Sequence, residues 1–273
     1  MSETVNKVVI LAAGLGKRMR QASAGVALEQ DQAEAAGTGV KAMIPIDRPF
    51  LDYVLSEVAA AGYREVCLVI GPEHEAVRQY YENEAGAERL SFSFATQHDR
   101  LGTADALAKA EAFANGEPVV MLNSDNYYPR SALAGLRELS GPGLAVFDRA
   151  VMLEASNIAA DRLKAFAVVE TNEDGTLAHI HEKPEQATID RLGEHAGLSL
   201  NCWRFSPRIF EACKAIEPSP RGEYEITDAV QHAIDHFGER FAVHHCAEPV
   251  LDLSRQEDIP GVAERLSSVQ CAL

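Results

Sequence analysis

Apolar residues run from position 5 to position 13, broken only at Asn6 and Lys7. A short run of this kind predicts a strand covered on both faces. It ends in Gly14-Leu15-Gly16, followed by the cations Lys17 and Arg18. Residues 49–61 place Phe50, Leu51, Val54, Leu55 and Val58 at helical spacing and close with Gly62, which predicts a helix. Residues 65–70 read as a second buried strand, 73–84 as a polar surface helix, and 90–96 as an alternating third strand. Strand, helix, strand, helix, strand is the pattern of a parallel sheet covered by helices.

The pattern continues. Residues 117–126 are an apolar strand running into Asp125, 129–139 a helix and 144–147 a strand. Residues 165–170 and 177–181 flank Asn172-Glu-Asp-Gly175-Thr, the signature of a hairpin. Residues 198–205 alternate as a strand followed by a helix from Pro207, and 241–246 form another strand. An apolar strand from Pro249 reaches Asp252, and Ser254 with Glu257 predicts a capping box for a last helix. The exception is 21–39, rich in Ala, Gln, Glu and Gly with a weak apolar stripe, which reads as a mobile loop with at most a helical turn.

Composition narrows the class. The 273 residues, 47% hydrophobic and 24% charged, suit one large α/β domain. A net charge of -16 argues against nucleic acid or an anionic membrane as partner. An anionic ligand would then need local cations or a divalent metal to overcome the mean field. Five cysteines without Cys-x-x-Cys spacing read as buried reduced thiols. The N-terminus lacks the apolar stretch of a signal peptide, and no apolar run reaches the ~20 residues that span a bilayer. A cytoplasmic protein is expected; a homo-oligomer is compatible with the sequence.

The glycine turn at the end of the first strand is the first candidate for chemistry. Glycines there let a ligand approach the backbone, exposed N–H groups attract phosphate, and Lys17 and Arg18 favour an anion. A dinucleotide fingerprint would need a third glycine where Met19 stands, and a P-loop would need Ser or Thr after Gly16-Lys17. What remains, Leu11-Ala12-Ala13-Gly14-x-Gly16-x-Arg18-Met19, resembles the opening of the nucleotidyltransferases that make nucleotide sugars from an NTP and a sugar 1-phosphate.

Other segments carry the same resemblance in the same order, from Val8 to Asp258. Lys41-Ala-Met-Ile-Pro45 resembles the family's Pro-Lys-x-x-x-Pro, although Val40 replaces the proline and the loop before it is longer. Gln97-His-Asp-Arg-Leu-Gly102-Thr103 resembles its base-reading Gln-x-x-x-x-Gly-Thr. A carboxamide offers a donor and an acceptor to a pyrimidine edge, Gly102 would let backbone lie against the base, and Thr103 can cap the following helix. Glu182-Lys183-Pro184 after the hairpin and Gly222-Glu-Tyr-Glu-Ile-Thr-Asp228 match two further motifs. The resemblance implies a GT-A or Rossmann-like fold: a central mixed, mostly parallel sheet with a small antiparallel element around 165–205 covering the sugar. Residues 1–150 would mainly bind nucleotide and 151–253 sugar phosphate, with a C-terminal helix over 254–273. So short a remainder leaves no space for an appended β-helix of the acetyltransferase type.

By the same resemblance Leu11, Ala12, Ala13, Gly14, Gly16, Gln97, Gly102 and Thr103 would bind nucleotide, and Arg18, Lys41 and Lys183 would be catalytic. Glu182 and Asn201 would face the sugar, and Asp125 and Asp252 would hold Mg²⁺, a hard cation suited to one or two carboxylates plus phosphates. Trp203 fits a core position as well as a sugar platform. The expected reaction joins NTP (UTP or dTTP favoured) to a sugar 1-phosphate and releases pyrophosphate. A cytidylyltransferase of a non-sugar phosphate shares the glycine-loop motif, and a non-catalytic nucleotide or sugar-phosphate sensor is the alternative outside enzymes.

Overall fold

The computed structural model describes residues 4–21, 26–164, 166–193 and 196–273; Gly25 and Ala165 of the loop and hairpin readings lie outside them. The first half builds β1 (Lys7–Ala12), α1 (Gln30–Thr38), α2 (Phe50–Ala60), β2 (Glu65–Ile70), α3 (Glu75–Asn83) and β3 (Ser91–Thr96). Then come α4 (Thr103–Ala108), α5 (Glu111–Ala114), β4 (Val119–Asn123), the short β5 (Asn126–Tyr127), α6 (Arg130–Glu138) and β6 (Gly143–Phe147). The second half adds α7 (Arg149–Ala155), α8 (Ala160–Leu163), the β7 (Ala167–Thr171) and β8 (Leu177–His181) hairpin, α9 (Gln186–Leu192) and β9 (Leu198–Phe205). It closes with α10 (Ile209–Ala215), α11 (Ile226–Phe237), β10 (Ala242–Cys246), β11 (Leu251–Asp252) and α12 (Asp258–Leu266).

The main sheet runs β10-β6-β9-β4-β1-β2-β3, with β7 and β8 attached beside β9. β1 pairs in parallel with both β2 and β4, so its run is buried on both faces, as an apolar segment without alternation requires. Val8, Ile10 and Ala12 pack with α2, α3 and α6 on one face; Val9 packs with α4, α10 and α11 on the other. β9 is antiparallel to β4 and β6, so the sheet is mixed. The antiparallel element expected around 165–205 is thus an extension of the main sheet through β9, with β7 and β8 as its outer hairpin. Lys7, at the polar break, stays buried by extending its ammonium to Glu117 at 2.7 Å and the Ala114 carbonyl at 3.2 Å.

Two local expectations need correction. Residues 30–38 form more than two turns of helix rather than a loop. The apolar stripe is weak because only Ala36 is buried, and the helix is held at its ends instead. The Glu29 N–H donates to Gln32 Oε1, and Gly39 takes the left-handed C-terminal position at φ 77°. Arg20 donates to the Thr38 carbonyl at 2.7 Å, a cation at the negative helix end. Nor does Ser254 open a capping box: Asp258 Oδ2 accepts from the N–H groups of Ser254 and Arg255, and α12 starts at Asp258. The carboxylate of Asp258, four residues beyond Ser254 and three beyond Arg255, reaches back to both donors. Among the described residues no helix is long and apolar enough to cross a membrane.

Candidate active site

β1 and β4 end side by side, with Leu11 opposite Asn123 and the Ser124 N–H bonded to the Leu11 carbonyl. The glycine turn and the Asp125 turn therefore stand together at the carboxyl edge of the sheet, where open α/β folds place ligands. A cavity of about 520 Å³ opens there. Its lining includes Leu11, Ala12, Ala13, Gly14, Gly16, Lys41, Gln97, Gly102, Thr103, Asp125 and Asn201. A smaller recess of about 130 Å³ shares Asn123 and Asn201 with it and carries Glu182 on its wall. Arg18 and Lys183 are exposed outside this lining, and Asp252 is buried behind it.

The two glycines of the turn do different things. A Cβ on Gly14 would meet nothing within 4 Å, so this backbone is open to a guest. A Cβ on Gly16, at φ 58°, would stand 2.1 Å from the Gly39 carbonyl oxygen. Gly16 is thus required by the docking of α1. Met19, where a dinucleotide site would need its third glycine, is fully buried in the core.

Lys41 begins a 3₁₀ turn, Lys41–Met43, and its Nζ lies 2.7 Å from Asp125 Oδ2. Burial lowers the affinity of this ammonium for its proton, but Asp125 and, farther off, Asp252 outweigh burial and Arg18, leaving it above the ordinary lysine value of 10.5. Lys41 therefore stays charged at pH values below 10.5, and on the alkaline side its contribution to the fold is lost as pH rises through its elevated value. Activity should accordingly show no alkaline fall attributable to Lys41 below pH 10, and a loss near pH 8 abolished by Lys41→Arg would contradict this.

Asp125 and Asp252 meet through backbone pairing. Asp252 lies opposite Asn126 in the β5–β11 ribbon, and the Leu253 N–H donates to the Asp125 carbonyl. Burial and the neighbouring Asp125 push the Asp252 carboxyl up to about 6, against the pull of Arg162. Asp252 Oδ1 accepts from Asn126 and Ser254, and Oδ2 from Arg162 of α8 at 2.5 Å. Three of roughly four lone-pair sites are filled, leaving one on Oδ2. Among the described residues no three His, Cys, Asp or Glu side chains gather as a metal cluster. A pair of hard carboxylates with cations against both is nonetheless a donor set that fits Mg²⁺, which draws its remaining ligands from phosphates and water.

Backbone irregularities aim the sugar-side candidates. Asn201 adopts φ 56° where the β6–β9 register shifts between Leu144 and Val146. Asparagine tolerates this left-handed conformation better than most residues. Its Oδ1 accepts from the Trp203 indole. Trp203 itself is fully buried, stacked on Phe205 at 5.5 Å and edge-on to Phe241, so it is core and no sugar platform. Lys183 also has a positive φ, 44°, just before Pro184. Glu182 beside it is raised above the ordinary carboxylate value by the surrounding protein and by Glu225, against Arg221 and Lys183.

Gly102 and Thr103 also differ from expectation. A Cβ on Gly102, at φ 116°, would lie 2.4 Å from the Tyr224 carbonyl oxygen, and the Ala104 N–H donates to that carbonyl. Thr103 Oγ1 accepts from the Ile226 N–H, at the start of α11 instead of its own helix. The Gly-Thr and Gly-Glu-Tyr-Glu-Ile motifs thus form one bonded unit. Arg100 and Arg162 escaped the sequence reading, and Glu223, read there only as part of its motif, also lines the cavity. Arg100 lines the cavity, donating to the Ala13 carbonyl at 2.9 Å and pairing with Glu73. Its only sequence signal is its place inside the glutamine motif.

Residues 7–245 match the nucleotidyl transferase family model, and the chain belongs to that family. It is 29% identical over 230 residues to a glucose-1-phosphate thymidylyltransferase of Streptomyces antibioticus, the match covering 84% of this chain and 57% of that protein's length. It is 28% identical over 225 residues to the UTP–glucose-1-phosphate uridylyltransferase AglF of Haloferax volcanii, covering 82% of each. A crystal structure of a UDP-glucose pyrophosphorylase complexed with UDP-glucose superposes with a TM-score of 0.73 over 97% of this chain and 100% of that one, at 20% identity, a likeness of fold.

Proposed function

We propose that this chain transfers a nucleoside monophosphate from UTP or dTTP to a sugar 1-phosphate, forming an NDP-sugar and pyrophosphate. The observation that carries the reading is the convergence of an open glycine turn, the Lys41–Asp125 pair and Gln97 on one cavity, with the Glu182 recess adjoining it. The relatives act, by their names, on this class of substrates.

A phosphate monoester has a second pKa of about 6, so the attacking sugar phosphate is ionised at neutral pH and needs no base. The difficulty is bringing two anions together and stabilising the departing pyrophosphate. In this reading the turn around Gly14 presents backbone N–H groups to the triphosphate, and Arg18 grips its β- and γ-phosphates. Lys41 turns from Asp125 to the α-phosphate, Lys183 holds the incoming phosphate, and Glu182 and Asn201 bind sugar hydroxyls. Asp125 and Asp252 would hold Mg²⁺, which when bound neutralises charge on the phosphates. A cytoplasmic location follows from the need for both substrates.

Arg18 makes no side-chain hydrogen bond or ion pair among the described residues. Arg18→Ala should therefore lower kcat/KM for the NTP about 10²-fold while the melting temperature stays within ~1 °C; parallel loss of both would contradict its role. The reading as a whole is tested by pyrophosphate release from UTP, dTTP, CTP, GTP and ATP, each against glucose, galactose, mannose and N-acetylglucosamine 1-phosphates. Release with a pyrimidine triphosphate and one of these sugars supports it. Release only with CTP and a phospho-alcohol favours the non-sugar cytidylyltransferase, and tight binding without release favours a sensor.

A further inference from the structure

Gln97 is 3% exposed and lines the cavity. Its Nε2 donates to the Gly102 carbonyl at 3.0 Å and to Asp105 Oδ2 at 2.8 Å. Asp105, in the first turn of α4, is itself largely enclosed, and its other oxygen is held by Lys109 at 2.7 Å. Two acceptors, one of them charged, face the same end of the carboxamide. Only the NH₂ can satisfy both, so the amide has one orientation. Its Oε1 receives no hydrogen bond among the described residues and is the free end of a side chain on the cavity wall.

We propose that Asp105 is a positioning residue for base selectivity: by fixing Gln97 with its acceptor free, it makes the cavity favour a base with a ring imide N–H, uracil or thymine, over cytosine. The inference rests on the cavity being the NTP site. Uracil and thymine carry a donor at ring position 3, where cytosine carries a bare acceptor nitrogen. An inverted carboxamide would favour cytosine instead. Inversion would turn Oε1 towards a carboxylate and a carbonyl, and Asp105 contributes the larger part of that penalty because its hydrogen bond is charge-assisted. Lys109, outside the cavity lining, keeps Asp105 in place from the far side.

The test compares kcat/KM for UTP and CTP at saturating sugar 1-phosphate in the wild type, D105A and D105N. D105A should cut the UTP-to-CTP ratio about tenfold, the size of one charge-assisted hydrogen bond. The loss should fall on the KM for UTP, with the KM for sugar 1-phosphate within twofold of wild type. D105N keeps an acceptor towards Gln97 and should hold the ratio within threefold. Should D105A lose its fold by thermal shift, D105L fills the same space without an acceptor and is read instead. An unchanged ratio in a folded variant overturns the proposal, as does a uniform fall for UTP, CTP and sugar phosphate. Calorimetric titration of UTP and CTP separates the two levels. A wild type that prefers UTP in binding without turnover sinks the reaction and keeps the selectivity; turnover without base preference does the reverse.

Discussion

Asp125→Asn should abolish nearly all turnover, with kcat falling about 10³-fold, ~4 kcal/mol in the barrier, and the melting temperature moving by no more than ~2 °C. Among the described residues, Asp125 is the one acidic side chain on the cavity wall that is bonded to a proposed catalytic cation. In the proposed reading its neutralisation removes a charge that would help hold Mg²⁺, and it leaves Lys41 only a weaker, neutral acceptor. Stability suffers little for two reasons. A partly solvated pair of this kind contributes on the order of 1 kcal/mol, and its loss relieves the charge that Asp125 imposes on Asp252. Steady-state kinetics beside a thermal melt checks this. A variant with near-normal kcat would remove Asp125 from the chemistry; one that melts ~10 °C lower would make it a structural residue.

The second large effect falls on the fold. Gly102→Ala should destabilise the chain by about 4 kcal/mol and lower the melting temperature by roughly 10 °C. The backbone at φ 116° is a glycine conformation, and the added methyl would meet the Tyr224 backbone, whose carbonyl oxygen and nitrogen lie 2.4 and 2.8 Å from it. Backbone atoms tied to Leu101 and Ala104 cannot move aside without opening the joint between the two motifs. A melt within 2 °C of wild type would show that the joint yields easily.

Gly102 also shows what a sequence can and cannot disclose. The pattern of apolar runs located β1, β2, β4 and β6 well, because burial on both faces leaves its mark residue by residue. The glycine turn and Asp125 were legible as the ends of such strands. The reason for Gly102 was not, since the atom that forbids a side chain belongs to Tyr224, over a hundred positions away. The same holds for Thr103, which serves α11, and for Gly16, which answers to Gly39. Helix α1 was missed because it is held by end contacts, which carry no periodic signal. Arg162 had none either: it comes from a short helix in a polar stretch, and only the folded chain brings it to Asp252.

The central claim is that a sugar phosphate oxygen attacks the α-phosphorus of an NTP bound in the cavity at the ends of β1 and β4. Phosphorus NMR of a reaction run with UTP, Mg²⁺ and glucose 1-phosphate carrying ¹⁸O in its phosphate reads this directly. The account predicts that all label appears in the NDP-sugar, including the oxygen bridging its two phosphorus atoms, and that pyrophosphate is unlabelled. Label in pyrophosphate or inorganic phosphate, or UTP left intact with every sugar 1-phosphate tried, would contradict it.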